Sequence, residues 1–300
     1  MNISSLTVEQ LKKKLSKGLS FQIGNFNICL TSSIPNVCIH IKHLYSEYEV
    51  LSDDVYIDFY IELCSPTLIR CYIRPQVVFS FDGYIAFKPL PLAQAGAMFE
   101  WGLNWCIANH SNQYLIIHAA VVELNGCAFV FPGAPGNGKS TLCAALVCNG
   151  WRLLSDEMTL VSIEDGLIYP VPRPTSLKNQ SINIIKNYSK NAVFGEVVKD
   201  TAKGTIGHMR APDNSVRCAH KPAQATKLIF PKYTQGAATE LTALSKGKTV
   251  LRAAEQCFNY SALGSQGFET LCSLVGDVGC FEFSYSSLDE AVALFSGIAH

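Results

Sequence analysis

The sequence predicts an α/β (α+β) protein: a mixed β-sheet with flanking helices, preceded by a smaller β-rich part. Three observations predict it. The apolar run CAFVF at 127–131 is followed by the Gly-rich GAPGNGKST of 133–141 and then by the helix-like TLCAALVC, giving the order strand, loop, helix. Before residue 110, β-like runs such as VYIDFYIEL (55–63) and RCYIRPQVVFSF (70–81) alternate with turn signals. Beyond it, strand-like and helix-like stretches follow one another to the C-terminal end.

The elements follow in order. KKK at Lys12–Lys14 reads as the solvated face of a helix. Residues 92–109, LAQAGAMFEWGLNWCIAN, place apolar side chains at helical spacing and end in the polar HSNQ. A helix there would join a β-rich or α+β region, 1–110, to a larger region, 111–300, that holds the Gly-rich loop. YLIIHAAVVEL (114–124) and CAFVF flank Asn125-Gly126, a dipeptide suited to the two positive-φ positions of a tight hairpin. WRLLSDEMTLVSI (151–163) reads as one strand-like run, and after EDG the segment LIYPV suggests a second hairpin. PVPRPTSLKNQS (170–181), with its three prolines, reads as an irregular loop placed to lie over phosphates. The polar, basic stretch 199–222 reads as a mobile lid. TKLIFPKY (226–233) resumes as a strand, helices are expected over 247–258 and 265–275, and CFEFSYS forms a strand before a last helix from Asp289.

Bulk properties exclude several classes. Three hundred residues suit one large domain or two smaller ones, and 48% hydrophobic with 16% charged residues excludes general disorder. Twenty-four basic residues balance twenty-four acidic ones, so no field favours nucleic acid or an anionic membrane. The twelve cysteines form no C-x-x-C pair, and Cys127, Cys143 and Cys148 fall in apolar runs, so they read as core residues rather than zinc ligands. A start without a signal peptide, and the lack of an apolar stretch near eighteen residues, point to a reduced cytoplasmic setting.

The chemistry centres on residues 133–141. Glycines let successive backbone amides turn toward one volume, where they and the following helix N-terminus hold a polyanion. Gly133, Ala134, Pro135, Gly136, Asn137 and Gly138 form this cradle, and Lys139 reaches the terminal phosphates of ATP or another nucleoside triphosphate. Ser140 completes the shell of a Mg2+ ion, and Thr141 is a secondary phosphate contact. Asp156 and Glu157 follow Lys139 by one helix and one strand. On an adjacent strand, they could divide the work, one holding the metal and the other accepting a proton from an attacking hydroxyl. His118 is a candidate to orient and tune Asp156. Arg173, Lys178 and Arg210 are the candidate cations for the transferring phosphate.

His118, the loop and the acidic pair in GWRLLSDE, taken together, resemble the HPr kinase/phosphorylase family and, more closely, its HprK-related kinase A branch. PRPTSLKNQS (172–181) and KGTIGHMRAP (203–212) resemble segments of that branch. The resemblance implies a phosphoenolpyruvate-carboxykinase-like P-loop core, with 111–300 as the nucleotide-binding catalytic domain, and a serine kinase activity, and it allows a homo-oligomer built through that core. It implies Asp156 as base, Lys139 at the phosphates, Ser140 and Glu157 as metal ligands, and His118 as support for Asp156. Two features depart from the founding members. Glu157 stands in place of a second aspartate, and PRPTSLKNQ stands where an acidic signature tied to the reverse, phosphorolytic reaction would lie.

The leading expectation is therefore a Mg2+-dependent kinase acting on a hydroxyl of an unidentified protein or peptide, with serine as first choice. The alternatives are a nucleotide-switched binding module that transfers nothing, and a kinase of a sugar or another metabolite.

Overall fold

The computed structural model describes residues 1–52 and 54–299. In the N-terminal part, α1 (Val8–Leu15) begins with a capping box in which Thr7 and Gln10 exchange side-chain-to-backbone bonds. It buries Leu11 and Leu15 and leaves Lys12–Lys14 exposed, as the spacing predicts. Strands β1 (Leu19–Ile23) and β2 (Phe26–Ser32) form a hairpin. Helix α2 (Pro35–Leu44) crosses over to β3 (Phe59–Cys64), parallel to β2, and β4 (Gln76–Phe81) follows antiparallel, with the short β5 (Tyr84–Ile85) and β6 (Leu90–Pro91) both on β4. Helix α3 (Ala95–His110) buries residues nearly all round, among them Met98, Phe99, Leu103 and Ile107. Gly102 is required for this packing, because a Cβ there would lie 2.1 Å from the Phe79 ring.

The larger part is a six-stranded mixed sheet. It contains β8 (Ala119–Leu124), β9 (Cys127–Pro132), β10 (Arg152–Ser155), β16 (Ala225–Tyr233), β17 (Glu240–Ala243) and β18 (Gly279–Tyr285), in the order β10-β8-β9-β16-β18-β17. Strands β9, β16 and β18 are parallel, and the outer pairings are antiparallel. Helices α4 (Lys139–Cys148), α5 (Gln180–Tyr188) and α10 (Leu288–Gly297) bury one face of this sheet. Helices α7 (Lys246–Ala254) and α9 (Ser265–Gly276), joined through the short α8 (Tyr260–Leu263), bury the other. The fold is therefore mixed α/β with several sheets. The β8–β9 hairpin turns at Asn125 and Gly126, whose φ values of 54° and 83° fit the expected turn.

Four expectations need correction. The run 114–124 breaks at His118 into β7 (Tyr114–Ile117) and β8, which belong to different sheets. The run 151–163 breaks in the same way into β10 and β11 (Thr159–Ser162); β11 pairs with β7 on one side and with β12 (Ile168–Tyr169) on the other. Segment 170–181 is not irregular throughout, because β13 (Thr175–Lys178) and the start of α5 lie within it. The stretch 199–222 is no lid. It includes most of the hairpin of β14 (Val198–Thr201) and β15 (Gly204–Met209), followed by α6 (Asp213–Arg217), and it buries Ile206, Met209, Ala211 and Ser215. Its polar residues misled because β15 is pinned between β13 and β14, so few apolar side chains suffice.

The N-terminal core does not stop at residue 110, since Tyr114, Ile116, Met158, Leu160 and Val171 pack into it. Among the described residues, no helix is long and apolar enough to cross a membrane.

Candidate functional site

The Gly-rich loop leaves β9 and enters α4. Gly136 and Gly138 have φ of 96° and 84°, a region that other residues adopt only with strain. Gly138 is doubly constrained, because a Cβ there would come 2.5 Å from the Tyr285 hydroxyl and 2.9 Å from Tyr233 Cβ. The Tyr285 hydroxyl donates to the Gly138 carbonyl at 3.0 Å, and the Tyr233 amide donates to the Asn137 carbonyl at 3.1 Å. Ala134, Pro135 and Gly136 face solvent. Among the described residues, no side chain caps the N-terminus of α4, so its first amides and the positive end of its dipole remain open to an anion.

Strand β10 runs antiparallel to β8, and β8 antiparallel to β9, so β9 and β10 end on the same edge with β8 between them. Asp156 is thus delivered from the second neighbour of the loop's strand, not from an adjacent one. Lys139 is 6% exposed, and its Nζ donates to the carbonyls of His118 and Gly133, both at 3.3 Å. Burial pulls its ammonium down to about 8 against the attraction of Asp156 and Glu157. Asp156 is 6% exposed, and its Oδ2 accepts from the Ser176 amide at 3.0 Å. Among the described residues, its buried Oδ1 has no partner of hydrogen-bonding geometry. Burial, helped by the Glu157 charge, pushes this carboxyl up to about 6 against Lys139, the Ser176 amide and the nearby Ser140 hydroxyl. A void of about 20 Å³ beside it has room for one water molecule.

Glu157 turns another way. Asn104 of α3 donates to its Oε2, and Lys178, Arg173, Lys203 and His118 hold its carboxyl low although burial alone would raise it. The structure therefore brings Ser140 to Asp156 rather than to Glu157. His118 stacks on Phe258, with centroids 5.5 Å apart and planes at 15°. Burial, then the Lys139 charge, lowers His118 to about 4, and the carboxylate acting on it most is Glu157, not Asp156.

Two of the three proposed cations are already paired, although Arg173 still lines the void beside Asp156. Arg173 is buried and makes an ion pair with Glu100, its Nη2 lying 2.6 Å from Oε2, and its Nη1 donates to Asn104 Oδ1. Arg210 pairs with Asp213 at 2.8 Å and donates to the Ser46 hydroxyl at 3.1 Å. Lys178 does face the site. The Thr141 hydroxyl donates to Ser181 Oγ at 2.9 Å, which ties α4 to α5 rather than offering it to a phosphate. Glu100 and Asn104 were not among the expected site residues, although both are polar residues one turn apart within the otherwise apolar run 95–108.

Beyond the carboxylates opens a chamber of about 480 Å³. Glu157, His118, Ser176, Arg173, Lys178 and Lys203 are among its polar lining. Met98, Trp101 and Trp105 of α3 form an apolar wall, with Phe258 also lining it. Among the described residues, no cluster of three or more His, Cys, Asp or Glu side chains could hold a metal ion.

With this geometry in hand, comparison with known proteins adds one match. The model of a family described as "SynChlorMet cassette protein ScmC" matches residues 100–195, a minor part of the chain that nevertheless spans the Gly-rich loop, α4, the acidic pair, Asn104 and Arg173. No curated protein matches the sequence.

Proposed function

We propose that the protein is a kinase that transfers the γ-phosphoryl group of ATP or another nucleoside triphosphate to a hydroxyl, with a serine of a protein or peptide as the favoured acceptor. One observation carries the reading. A buried carboxyl pushed up to about 6, with one oxygen left free, ends on the same sheet edge as an open, Gly-shaped anion cradle, and the Lys139 ammonium lies between them. The resemblance to HprK-related kinase A, with its P-loop core, is consistent with that arrangement.

In this reading the backbone amides at the start of α4 bind the phosphates. Lys139 leaves its two carbonyls to contact the terminal groups, because a phosphate oxygen is a stronger acceptor than a neutral carbonyl. Asp156, its carboxyl pushed up to about 6, accepts the acceptor's proton. Mg2+ would be held through the Ser140 hydroxyl together with phosphate and water oxygens, hard donors of the kind it takes, which leaves the free Asp156 oxygen for the proton. It would neutralise charge on the transferring group. Glu157, held by Asn104 toward the chamber, sets the charge around His118 and Lys178.

The test is Asp156→Asn with labelled ATP and a cell lysate. Nucleotide affinity is expected to persist while transfer falls by roughly 10²–10⁴-fold. Labelling at the parent rate would remove Asp156 as base. Tight binding by the parent protein with no transfer to any acceptor would favour a nucleotide-switched binding module.

A further inference from the structure

We propose that the chamber beside Glu157 is the acceptor pocket, and that it selects a hydroxyl carried next to an aromatic or large apolar side chain. The identity of the occupant as an acceptor rests on the phosphoryl-transfer reading. The selectivity rests on the walls alone.

Position comes first. Residues 133–141 and Asp156 do not line the chamber, yet Glu157 and Ser176 do, and so does His118, whose carbonyl holds Lys139, so the chamber adjoins the reacting groups without overlapping the cradle. Phosphoryl transfer places the attacking and leaving oxygens roughly in line, so the acceptor must come from the side opposite the nucleotide. Size agrees: about 480 Å³ falls within the range of sites that enclose a small ligand or a few side chains, and is far too small for a folded partner.

The walls then set the class of acceptor. Trp101 is 44% exposed, and one face lies on the Phe87 ring at 4.3 Å and 26°, so its position is fixed while much of its surface stays open. Phe258 is 52% exposed and stacks on His118, which puts a second open aromatic beside the polar end. Large aromatic side chains left in solvent at the mouth of a concavity are uncommon unless something covers them. Lys178 and Lys203 line the same chamber. A hydroxyl at the Ser176 end, next to Asp156, would meet the phosphate beside the cations, while the neighbouring side chain lies on Trp101.

The experiment uses the full-length protein, Mg2+-ATP and two blocked peptides, Gly-Ser-Phe and Gly-Ser-Gly. Tryptophan emission reports binding independently of transfer, because Trp101 and Trp105 line the chamber while the only other tryptophan, Trp151, is 1% exposed. The Phe peptide is expected to show about tenfold or higher kcat/KM over the Gly peptide. It should also change the emission saturably without nucleotide, whereas the Gly peptide should not. Trp101→Ala should collapse the kcat/KM ratio toward one. Because that change also frees Phe87, Ala97→Leu, which adds bulk to the chamber and removes no wall, should lower the same ratio. Equal kcat/KM for the two peptides, with no emission response, would overturn the pocket and leave the kinase reading standing. A saturable response to the Phe peptide without transfer to either would support the aromatic-selective chamber while ending the kinase reading. Neither response nor transfer overturns the pocket.

Discussion

Two carboxylates lie at nearly the same depth in this molecule, Glu100 at 4% exposure and Asp156 at 6%, and they are treated in opposite ways. Glu100 is surrounded. Arg173 Nη2 lies 2.6 Å from it, the Tyr45 hydroxyl donates to it at 2.9 Å, and His40 Nε2 stands 2.7 Å away. Burial alone would raise its pKa, but Arg173 and His40 hold it well below the usual carboxylate range. Asp156 has one amide and a free oxygen, and it is pushed up to about 6. Depth therefore does not distinguish an acid that holds a fold together from one poised to take a proton. The number of partners does.

The largest effect that could break this comparison is at Glu100. Glu100→Ala strands the buried Arg173 guanidinium and is expected to cost about 3–5 kcal/mol in urea unfolding; a loss under about 1 kcal/mol would erase the distinction. Asp156→Asn should do the reverse. The folded carboxyl is pushed up to about 6 from its ordinary value of 3.8, so the folded protein keeps a proton that the unfolded chain has released. Stability therefore falls as pH rises between those values. The variant should gain on the order of 2–3 kcal/mol at pH 8 and have lost most of that advantage by pH 4. Equal gains at both pH values would show that Asp156 is not the poised group.

Asn104→Ala removes the donor that aims Glu157 and an acceptor for Arg173. About tenfold lower transfer with about 1–2 kcal/mol lost in stability is expected, and unchanged kinetics would separate the two acids functionally. The smallest effect belongs to Thr141→Val, which deletes the tie to Ser181. About 1 kcal/mol should be lost in thermal unfolding, with nucleotide affinity unmoved; weaker nucleotide binding would return Thr141 to the phosphates.

Local signals made much of this legible. The glycines of the loop, Asn125-Gly126, and the helical spacing of 92–109 each act through nearby backbone, and each lies where the sequence places it. What was hidden depends on long-range pairing. In IIHAAVV a lone histidine between two apolar halves does not mark the step at which the ribbon changes sheets, and in LLSDEMT the polar Ser155, Asp156 and Glu157 that stand at the step read as chemistry rather than as a change of sheet. Arg173 resembled a free surface cation because its partner, Glu100, lies 73 residues earlier on a helix whose apolar spacing drew attention away from its few polar positions. The hairpin 198–209 looked like a lid because polar composition reports solvent contact but not pairing.

The changes of sheet at His118 and after Ser155 have a consequence for the lysine. When a chain leaves one ladder for another, the carbonyl at the step is released from strand pairing, and at His118 that oxygen is taken by Lys139. The resting ammonium is thus parked on two neutral oxygens, His118 and Gly133, both at 3.3 Å, each near the long limit of such bonds. An arriving polyanion has only to displace weak holders, so the irregularity that spoils the ribbon also keeps the cation in reserve beside the place where it is needed.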